Sequence, residues 1–209
     1  MCSCGVKTFE VNLHSMWNER YAGSEFAYGT EANSFLVQNA KLLTSPVLSL
    51  AEGEGRNAVF LASLGLDVLG VDASDVGLAK AQKLAASRGL TIRTEVADLA
   101  SYEPPENHYG SVISIWAHLP SHVRNRFYPL VERSLKPGGI VLFESYTKAQ
   151  LLRNTGGPKD PDLLMDHTEL EKQFPNCEPI LLQEIEREII EGKFHTGLAN
   201  VVQFIARKR

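Results

Sequence analysis

Two short apolar runs, one leading into glycines and one into an aspartate, constrain the fold of this chain more than any other feature. The first run opens residues 47–58, Val-Leu-Ser-Leu-Ala-Glu-Gly-Glu-Gly-Arg-Asn-Ala, and the second ends in Gly70-Val71-Asp72. Such runs are typical of buried parallel strands, and residues 59–64 have the apolar pattern of a connecting helix. Gly53 and Gly55 allow a sharp turn that brings a ligand against the main chain, because neither has a Cβ. With Asp72 placed to accept both hydroxyls of a ribose, the pattern predicts a nucleotide site.

These residues leave several kinds of protein open. Gly53-x-Gly55-x-x-Ala58 also fits the dinucleotide fingerprint, so an NAD-dependent oxidoreductase is one alternative. It is disfavoured because about 45 residues precede the first strand and no second mononucleotide half is evident. The sequence has no G-x-x-x-x-G-K-[ST] loop, which argues against ATP or GTP binding of that kind. A non-catalytic nucleotide-binding module, or a tight turn with a helix-capping aspartate, explains the same residues.

Three further segments resemble the class I S-adenosylmethionine-dependent methyltransferases. Residues 93–98, Arg-Thr-Glu-Val-Ala-Asp, are similar to the third strand of that family, and residues 134–139, Ser-Leu-Lys-Pro-Gly-Gly, to the turn before its fifth strand. Two β-rich runs, 180–190 and 198–206, are joined by the turn-rich residues 191–197 and indicate a hairpin. In the family this hairpin adds a reversed last strand to the sheet.

The resemblance is closest to the small tellurite-resistance (TehB-type) and thiopurine-like branch. Residues 17–21 and 28–31 are similar to its N-terminal lead-in, and residues 54–57 to its glycine loop. The chain departs from the superfamily at Ser49, where an acidic residue is common, and at Ala51, where a glycine is common. An alanine allows close approach at negative φ but not a left-handed turn without cost. Glu52 could replace the missing acid or face solvent.

The resemblance implies S-adenosylmethionine as the cofactor, with Asp98 facing the adenine amino group. Parallel sheets bind ligands at the carboxyl ends of their strands, which places the candidates that follow strands one, two and four at the same rim. The resemblance adds Trp17, Arg20 and Tyr28 from the N-terminal lead-in. The predicted cofactor-binding residues are Trp17, Arg20, Tyr28, Ala51, Glu52, Gly53, Gly55, Arg56, Asp72, Ala73, Ser74, Asp98, Leu99 and Trp116.

His118 is the predicted catalytic residue, since an imidazole after strand four is placed to act as a general base. A helix-capping or solvent-facing histidine is the alternative interpretation. Tyr146 at the end of strand five is a candidate substrate residue. The glycine- and proline-rich residues 147–175 form a candidate lid, whose cations would face an anionic substrate: Arg153, Lys159 and His167.

The alternation of strands and helices from residue 46 to 146 predicts an α/β fold. We expect a doubly wound, Rossmann-like, seven-stranded and mostly parallel sheet with a C-terminal antiparallel hairpin strand. The whole chain, 1–209, is predicted to be a single methyltransferase domain. Its predicted parts are an N-terminal lead-in and cap (1–45), a cofactor-binding core (46–146), the candidate lid (147–175) and the terminal hairpin (176–209).

The composition of the chain limits the kinds of partner that it is expected to bind. The net charge is −4 and no dense Lys/Arg block occurs, which favours a small-molecule substrate over nucleic acid or a membrane surface. No apolar run reaches the roughly 18 residues of a spanning helix, and residues 1–7 do not resemble a signal peptide, so a cytoplasmic location is expected. Cys2, Cys4 and Cys177 lack the spacing of a metal site, and none is predicted. The sequence leaves the oligomeric state open.

Methyl transfer needs little catalytic apparatus, because the sulfonium methyl group is already activated and the protein mainly orients the acceptor. A thiol or chalcogen oxyanion needs little help from a base, whereas a hydroxyl or amine needs a proton acceptor such as His118. The tellurite-resistance resemblance favours the thiol or chalcogen oxyanion.

Overall fold

The computed structural model describes residues 13–192 and 195–209. Cys2 and Cys4 lie outside the described residues, as do Lys193 and Phe194 of the predicted hairpin connection. The helices are α1 (Leu13–Tyr21), α2 (Ser34–Asn39), α3 (Arg56–Ser63), α4 (Asp75–Ser87), α5 (Ser121–Ser134) and α6 (His167–Gln173). The strands are β1 (Val47–Leu50), β2 (Val68–Asp72), β3 (Arg93–Val96), β4 (Tyr109–Ile115), β5 (Leu135–Tyr146), β6 (Cys177–Glu191) and β7 (His195–Lys208).

The seven strands form one sheet in the order β3-β2-β1-β4-β5-β7-β6. All neighbours from β3 to β5 are parallel, whereas β7 runs antiparallel to both β5 and β6. The predicted fold class and terminal hairpin are therefore confirmed. The strand order reverses between β1 and β4, so the carboxyl ends of these two strands border the crevice where open α/β sheets bind ligands.

Alternation along β1 explains why the sheet has a helix layer on each face. Leu48 and Leu50 belong to one core cluster, which includes Phe127 of α5. Val47 belongs to the other cluster, with Leu61 of α3 and further residues of α2 and α4. Successive side chains of a strand point to opposite faces, so a strand buried on both faces must be apolar throughout or satisfy its polar groups internally.

Both ends of α4 are set by local sequence. Ser74 caps the helix by accepting a 2.9 Å hydrogen bond from Gly77 N–H. Arg88 is the C-cap, and Gly89 follows with φ +68°. A glycine takes this left-handed conformation cheaply, which is why the helix stops there.

The Leu-Lys-Pro-Gly-Gly segment differs from the turn predicted before strand five. β5 already begins at Leu135, which pairs with Tyr109, and the next paired residue, Ile140, faces Ser111. The register therefore shifts between these pairs, and Gly138 has φ +79°. The extra residues bulge out of the ladder, so the strand continues through the segment instead of starting after it.

Residues 147–175 contain regular turns and are anchored to the core. Two 3-10 helices, Lys148–Leu152 and Pro161–Leu163, precede α6. Arg124 of α5 is buried, pairs with Glu169 at 2.5 Å and donates to the carbonyl of Asp162. These contacts hold the segment against α5, and Met165 N–H, which donates to the Tyr146 carbonyl, joins it to the end of β5. Within the described part of the chain, no helix combines the length and apolarity needed to cross a membrane.

Candidate active site

The Asp72 carboxylate joins the loops that follow β1 and β2. Gly53 N–H donates to Oδ2 and Ser74 N–H to Oδ1, each at 2.8 Å. Burial raises the pKa of Asp72, and the N–H groups of Ser74, Gly53 and Ala73 oppose that rise. A carboxylate has about four lone-pair sites, so these bonds leave room for a ligand hydroxyl.

The glycine loop has left-handed backbone at three positions. Gly53 has φ +60° and Gly55 φ +94°. A Cβ at Gly55 would lie 2.5 Å from the Cβ of Ala81, so this glycine also lets α3 and α4 approach closely. Ala51 has φ +50°, a conformation that costs an L-residue about 1–2 kcal/mol. The common glycine is thus replaced at a position whose backbone favours one, and the loop stores strain.

Glu52 faces the protein interior. Its Oε1 accepts a 2.9 Å hydrogen bond from Ala58 N–H in the first turn of α3, and its Oε2 accepts one from the Ser49 hydroxyl. Burial raises the pKa of Glu52 to about 7. A carboxyl at a helix N-terminus satisfies a free N–H group and, when ionised, interacts favourably with the helix dipole. Glu52 and Ser49 therefore form an internal pair that shapes the start of α3.

The N-terminal segment covers the glycine loop through Tyr21, which the sequence analysis did not single out. A Cβ on Gly53 would lie 2.7 Å from the Tyr21 hydroxyl oxygen. The ring is buried, and burial followed by the charge of Asp72 raises its pKa. Trp17 stacks on Tyr21 with ring centroids 5.6 Å apart, and Arg20 donates to the Tyr28 hydroxyl at 3.3 Å. The structure thus places the predicted residues Trp17, Arg20 and Tyr28 beside the loop.

Asp98 lies beyond the end of β3, at the same edge as Asp72. The register pairs Asp72 with Val96, two residues before Asp98. Asp98 is exposed, and its Oδ1 accepts a 2.8 Å hydrogen bond from Ala100 N–H. Leu99 is buried in the core. This geometry leaves the Asp98 carboxylate accessible at the rim.

A buried ionic network connects the glycine loop to the terminal hairpin. Arg56, the first residue of α3, donates to Glu191 Oε2 at 2.6 Å, and Arg187 donates to Glu144 Oε2 at the same distance. Asn33 bridges the two carboxylates through its Nδ2, at 2.6 Å from Glu144 and 2.8 Å from Glu191. Buried charges of this kind are tolerated only when paired and hydrogen-bonded, as they are here.

Trp116 connects this network to the carboxyl end of β4. Its Nε1–H donates to Glu191 Oε2 at 2.6 Å, and its N–H donates to the Glu144 carbonyl at 3.0 Å. It follows β4 directly and has φ +59°, which is strained for a bulky residue. Strain of this kind is concentrated at functional sites.

Four rings pack together at the ends of β4, β5 and the hairpin, and we refer to them as the ring cluster: Trp116, His118, Tyr146 and His195. Tyr146 stacks on Trp116 at 4.5 Å and on His118 at 5.5 Å between ring centroids. His195 lies edge-on to Trp116 at 5.2 Å and to Tyr146 at 5.5 Å. The cluster brings the predicted residues Trp116, His118 and Tyr146 together and adds a histidine that the sequence analysis missed.

The three lid cations already have partners. Arg153 contacts Glu186 and Asn200, and Lys159 Nζ donates to the Arg153 carbonyl at 3.0 Å. His167 Nδ1 lies 2.8 Å from Glu184 Oε1. An anionic substrate would therefore compete with acceptors that the protein itself provides.

Glu191, Arg187 and His195 were outside the predicted site because they lie far along the chain, in the hairpin. A weak signal was present. Side chains alternate along β6, so Arg187 and Glu191 lie on the same face of the strand as Ile189, which is buried. Charged residues on the buried face of a strand indicate an internal partner. The identity of that partner cannot be found from the spacing.

Known proteins match the region that carries this geometry. A family model described as a methyltransferase domain matches residues 47–139. A curated 2-heptyl-1-hydroxyquinolin-4(1H)-one methyltransferase from Mycobacteroides abscessus is 28% identical over 134 residues, 61% of this chain and 59% of that protein. The match thus spans less than two thirds of the curated relative.

Solved structures share the fold across most of the chain. A structure described in connection with conversion of a disulfide bond into a thioacetal group during echinomycin biosynthesis has a TM-score of 0.77 and 18% identity, covering 94% of this chain and 91% of that one. TehB from Haemophilus influenzae has a TM-score of 0.70 and 20% identity, covering 94% of this chain and 67% of its own. At these identities the likeness shows the fold alone.

The fold is an α/β domain whose candidate site lies at the carboxyl ends of its parallel strands. The matched segment runs from β1 into β5 and contains the glycine loop, Asp72 and Asp98. Residues 47–139 are therefore similar to a methyltransferase domain, and the seven-stranded sheet has the Rossmann-like fold of the solved methyltransferase structures.

Proposed function

We propose that this protein transfers a methyl group from S-adenosylmethionine to a small-molecule nucleophile. The observation that carries the proposal is the Asp72 carboxylate, which holds both Gly53 and Ser74 and keeps capacity for ligand hydroxyls. It lies within the segment that matches the methyltransferase domain. The comparisons favour neither an NAD-dependent oxidoreductase nor a non-catalytic binding module.

The residues at the rim fit this cofactor. Asp72 would accept the ribose hydroxyls, and the exposed Asp98 carboxylate would accept the adenine amino group. The bound cofactor supplies an activated methyl group, and the protein contributes orientation and exclusion of water. The net charge of −4 supports a small molecule over a nucleic acid as the acceptor.

Two acceptor chemistries follow from the relatives. The tellurite-resistance resemblance supports a thiol or chalcogen oxyanion, which needs no strong base. The curated relative is named for a hydroxyquinolone, whose hydroxyl has a proton to lose. Dependence of the activity on His118 distinguishes these two acceptor chemistries, because only the hydroxyl requires a proton acceptor at the reacting atom.

Calorimetric titration with S-adenosylhomocysteine and NADH, run in parallel, tests the cofactor. We expect S-adenosylhomocysteine to bind in the micromolar range, about −7 to −8 kcal/mol, and NADH not to bind measurably. Release of S-adenosylhomocysteine from S-adenosylmethionine in the presence of small thiols, tellurite, selenite, catechols and amines then tests transfer. Binding of NADH without binding of S-adenosylhomocysteine would overturn the proposal.

A further inference from the structure

Three buried polar atoms of the ring cluster have no hydrogen-bond partner among residues 13–192 and 195–209. They are the Tyr146 hydroxyl, His118 Nε2 and His195 Nδ1. Tyr146 is 0% exposed and His195 is 8% exposed. A buried polar atom without a partner costs about 1–3 kcal/mol, so three of them around one set of rings require an explanation. A ligand that supplies the missing partners is such an explanation.

The hydrogen bond made by Nδ1 of His118 determines whether its Nε2 is a donor or an acceptor. Nδ1 lies 3.3 Å from the Leu163 carbonyl oxygen, which can only accept. We therefore assign the proton to Nδ1, which leaves a lone pair on Nε2. The Ser145 hydroxyl, 3.4 Å from Nδ1, also lies on that side of the ring. Nε2 is thus an oriented proton acceptor.

The rings of the cluster are uncharged near neutral pH. Burial lowers the pKa of His118 to about 4 and that of His195 to about 3, so both imidazoles are neutral near pH 7. Two neighbouring cations are paired, Arg56 with Glu191 and Arg124 with Glu169. Tyr146 stacks on both Trp116 and His118, so an aromatic ligand would bind among aromatic rings, whereas an oxyanion would find neutral rings where it needs cations.

We infer that the ring cluster is the binding site for a planar aromatic acceptor that has an ionisable hydroxyl and a second polar group on its ring. This inference rests on the proposed methyl transfer and names its acceptor. The acceptor oxygen forms the new O–CH₃ bond, the CH₃–S bond breaks with its electron pair remaining on sulfur, and the hydroxyl proton passes to His118 Nε2. Tyr146 and His195 hold the second polar group.

The site is closed in this structure by the segment 157–163. A Cβ on Gly157 would lie 2.8 Å from the Tyr146 ring, so the backbone of this residue packs directly on that ring. Leu163 covers His118 through its carbonyl. Entry of the acceptor therefore requires displacement of this segment, and its return orders the His118 tautomer.

Binding of catechol and 8-hydroxyquinoline to the full-length protein with saturating S-adenosylhomocysteine, followed by tryptophan fluorescence, tests the site without requiring turnover. Tyr146→Phe removes one hydroxyl, and we expect it to weaken binding of the better probe roughly fivefold or more. Because that hydroxyl has no partner among the described residues, the same variant should melt roughly 2–4 °C higher. Tyr128→Phe is the control, since the buried Tyr128 hydroxyl donates to Met165 Sδ and lies outside the cluster.

His118→Asn separates proton transfer from binding. The shorter amide can still donate to the Leu163 carbonyl but has no group at the Nε2 position. For a hydroxyaryl acceptor we expect kcat to fall roughly a hundredfold or more. KM should rise only severalfold, through the lost hydrogen bond at Nε2, and the Kd of S-adenosylhomocysteine should be nearly unchanged. His122→Gln, an exposed histidine of α5, should leave all three constants unchanged.

Binding of neither hydroxyaryl probe, or binding unaffected by Tyr146→Phe, would overturn this inference. So would methylation of tellurite, selenite or thiols alone, and that result would leave the proposed methyl transfer intact. Failure to bind S-adenosylhomocysteine would instead overturn the proposed function itself. The two proposals can therefore fail separately.

Discussion

Arg56 Nη2 donates a 2.6 Å hydrogen bond to Glu191 Oε2, so the first residue of α3 is paired with the last residue of β6, 135 positions later. Their side chains are 9% and 7% exposed. The pair joins the glycine loop to the hairpin, and Trp116 shares the same Glu191 oxygen. The glycine loop and the end of β4 are thus connected through one carboxylate of the hairpin.

Glu191→Ala should destabilise the fold by about 3–5 kcal/mol, because it leaves Arg56 buried without a counter-charge. Glu191→Gln retains an oxygen that can accept and should cost less. Asp67→Ala is the control, since Asp67 pairs with Arg93 at the surface, where such pairs contribute about 0–1 kcal/mol. Denaturant unfolding gives all three values. Equal losses for Glu191→Ala and Asp67→Ala would contradict the assigned role.

Asp72→Asn should weaken S-adenosylhomocysteine binding by roughly ten- to a hundredfold, the value of one charge-assisted hydrogen bond. The amide also places N–H donors toward Gly53 or Ser74, so the melting temperature must be measured alongside the calorimetric Kd. Asp98→Asn should have a smaller effect, because that side chain is exposed. If Asp72→Asn binds within twofold of the wild type while remaining folded, Asp72 serves only the loop.

Ala51→Gly should raise the free energy of unfolding by about 0.5 kcal/mol. Relief of the left-handed strain, about 1–2 kcal/mol, exceeds the added entropy of the unfolded chain, about 0.4–1 kcal/mol. Ala86→Gly is the matched control in an exposed position of α4, where the same change should cost about 1 kcal/mol. Denaturant unfolding measures both changes. A rise in the free energy of unfolding for Ala51→Gly together with a fall for Ala86→Gly would support strain at Ala51, and equal losses would contradict it.

His195→Gln should change the pH dependence of stability. Burial lowers the pKa of His195 to about 3 in the folded state, so below about pH 6.5 only the unfolded chain binds its proton. The contribution of His195 to the free energy of unfolding is complete above pH 6.5. It is lost as the pH falls toward 3, at up to about 1.4 kcal/mol per pH unit. His118 acts in the same direction with a pKa of about 4.

Glu52 changes the pH dependence of stability in the direction opposite to that of His195. Burial raises its pKa from 4.5 to about 7, so its contribution is present below pH 4.5 and is lost as the pH rises through 7. The informative quantity is therefore the difference between the slopes of the wild type and His195→Gln from pH 4.5 to 6. We expect a shallower rise with pH in the variant. Identical slopes would mean that folding does not perturb this imidazole.

Local sequence patterns predicted the sheet, and they placed the glycine turn and the two aspartates at its carboxyl edge. Val47–Leu50 and the end of β2 at Asp72 were recognisable because strand, turn and acid follow one another within about one βαβ unit. The glycine loop and Ser74 were predicted for the same reason: their partners lie close in sequence. The resemblance extended these predictions to the reversed strand β7.

The surroundings of the ring cluster could be predicted only in part. His118 follows β4 and Tyr146 ends β5, so both could be placed at the rim, but the orientation of His118 depends on the Leu163 carbonyl, 45 residues away. The lid cations were expected to face a substrate, and the structure shows them bound to Glu186, Glu184 and a carbonyl. Pairings of this kind depend on how loops fold back, which spacing does not encode.

The sequence by itself determined the order and type of the elements, the glycine turn and the acids at two strand ends, because these depend on local backbone preference and on apolar periodicity. Tertiary structure decided the Arg56–Glu191 pair, the left-handed backbone of Ala51 and Trp116, and the contact of His195 with Tyr146. The Arg56–Glu191 pair and the His195–Tyr146 contact join residues that are brought together only when the hairpin adds β7 to β5. Burial then sets their charge, since desolvation acts on a side chain according to its surroundings in space and not its neighbours in sequence.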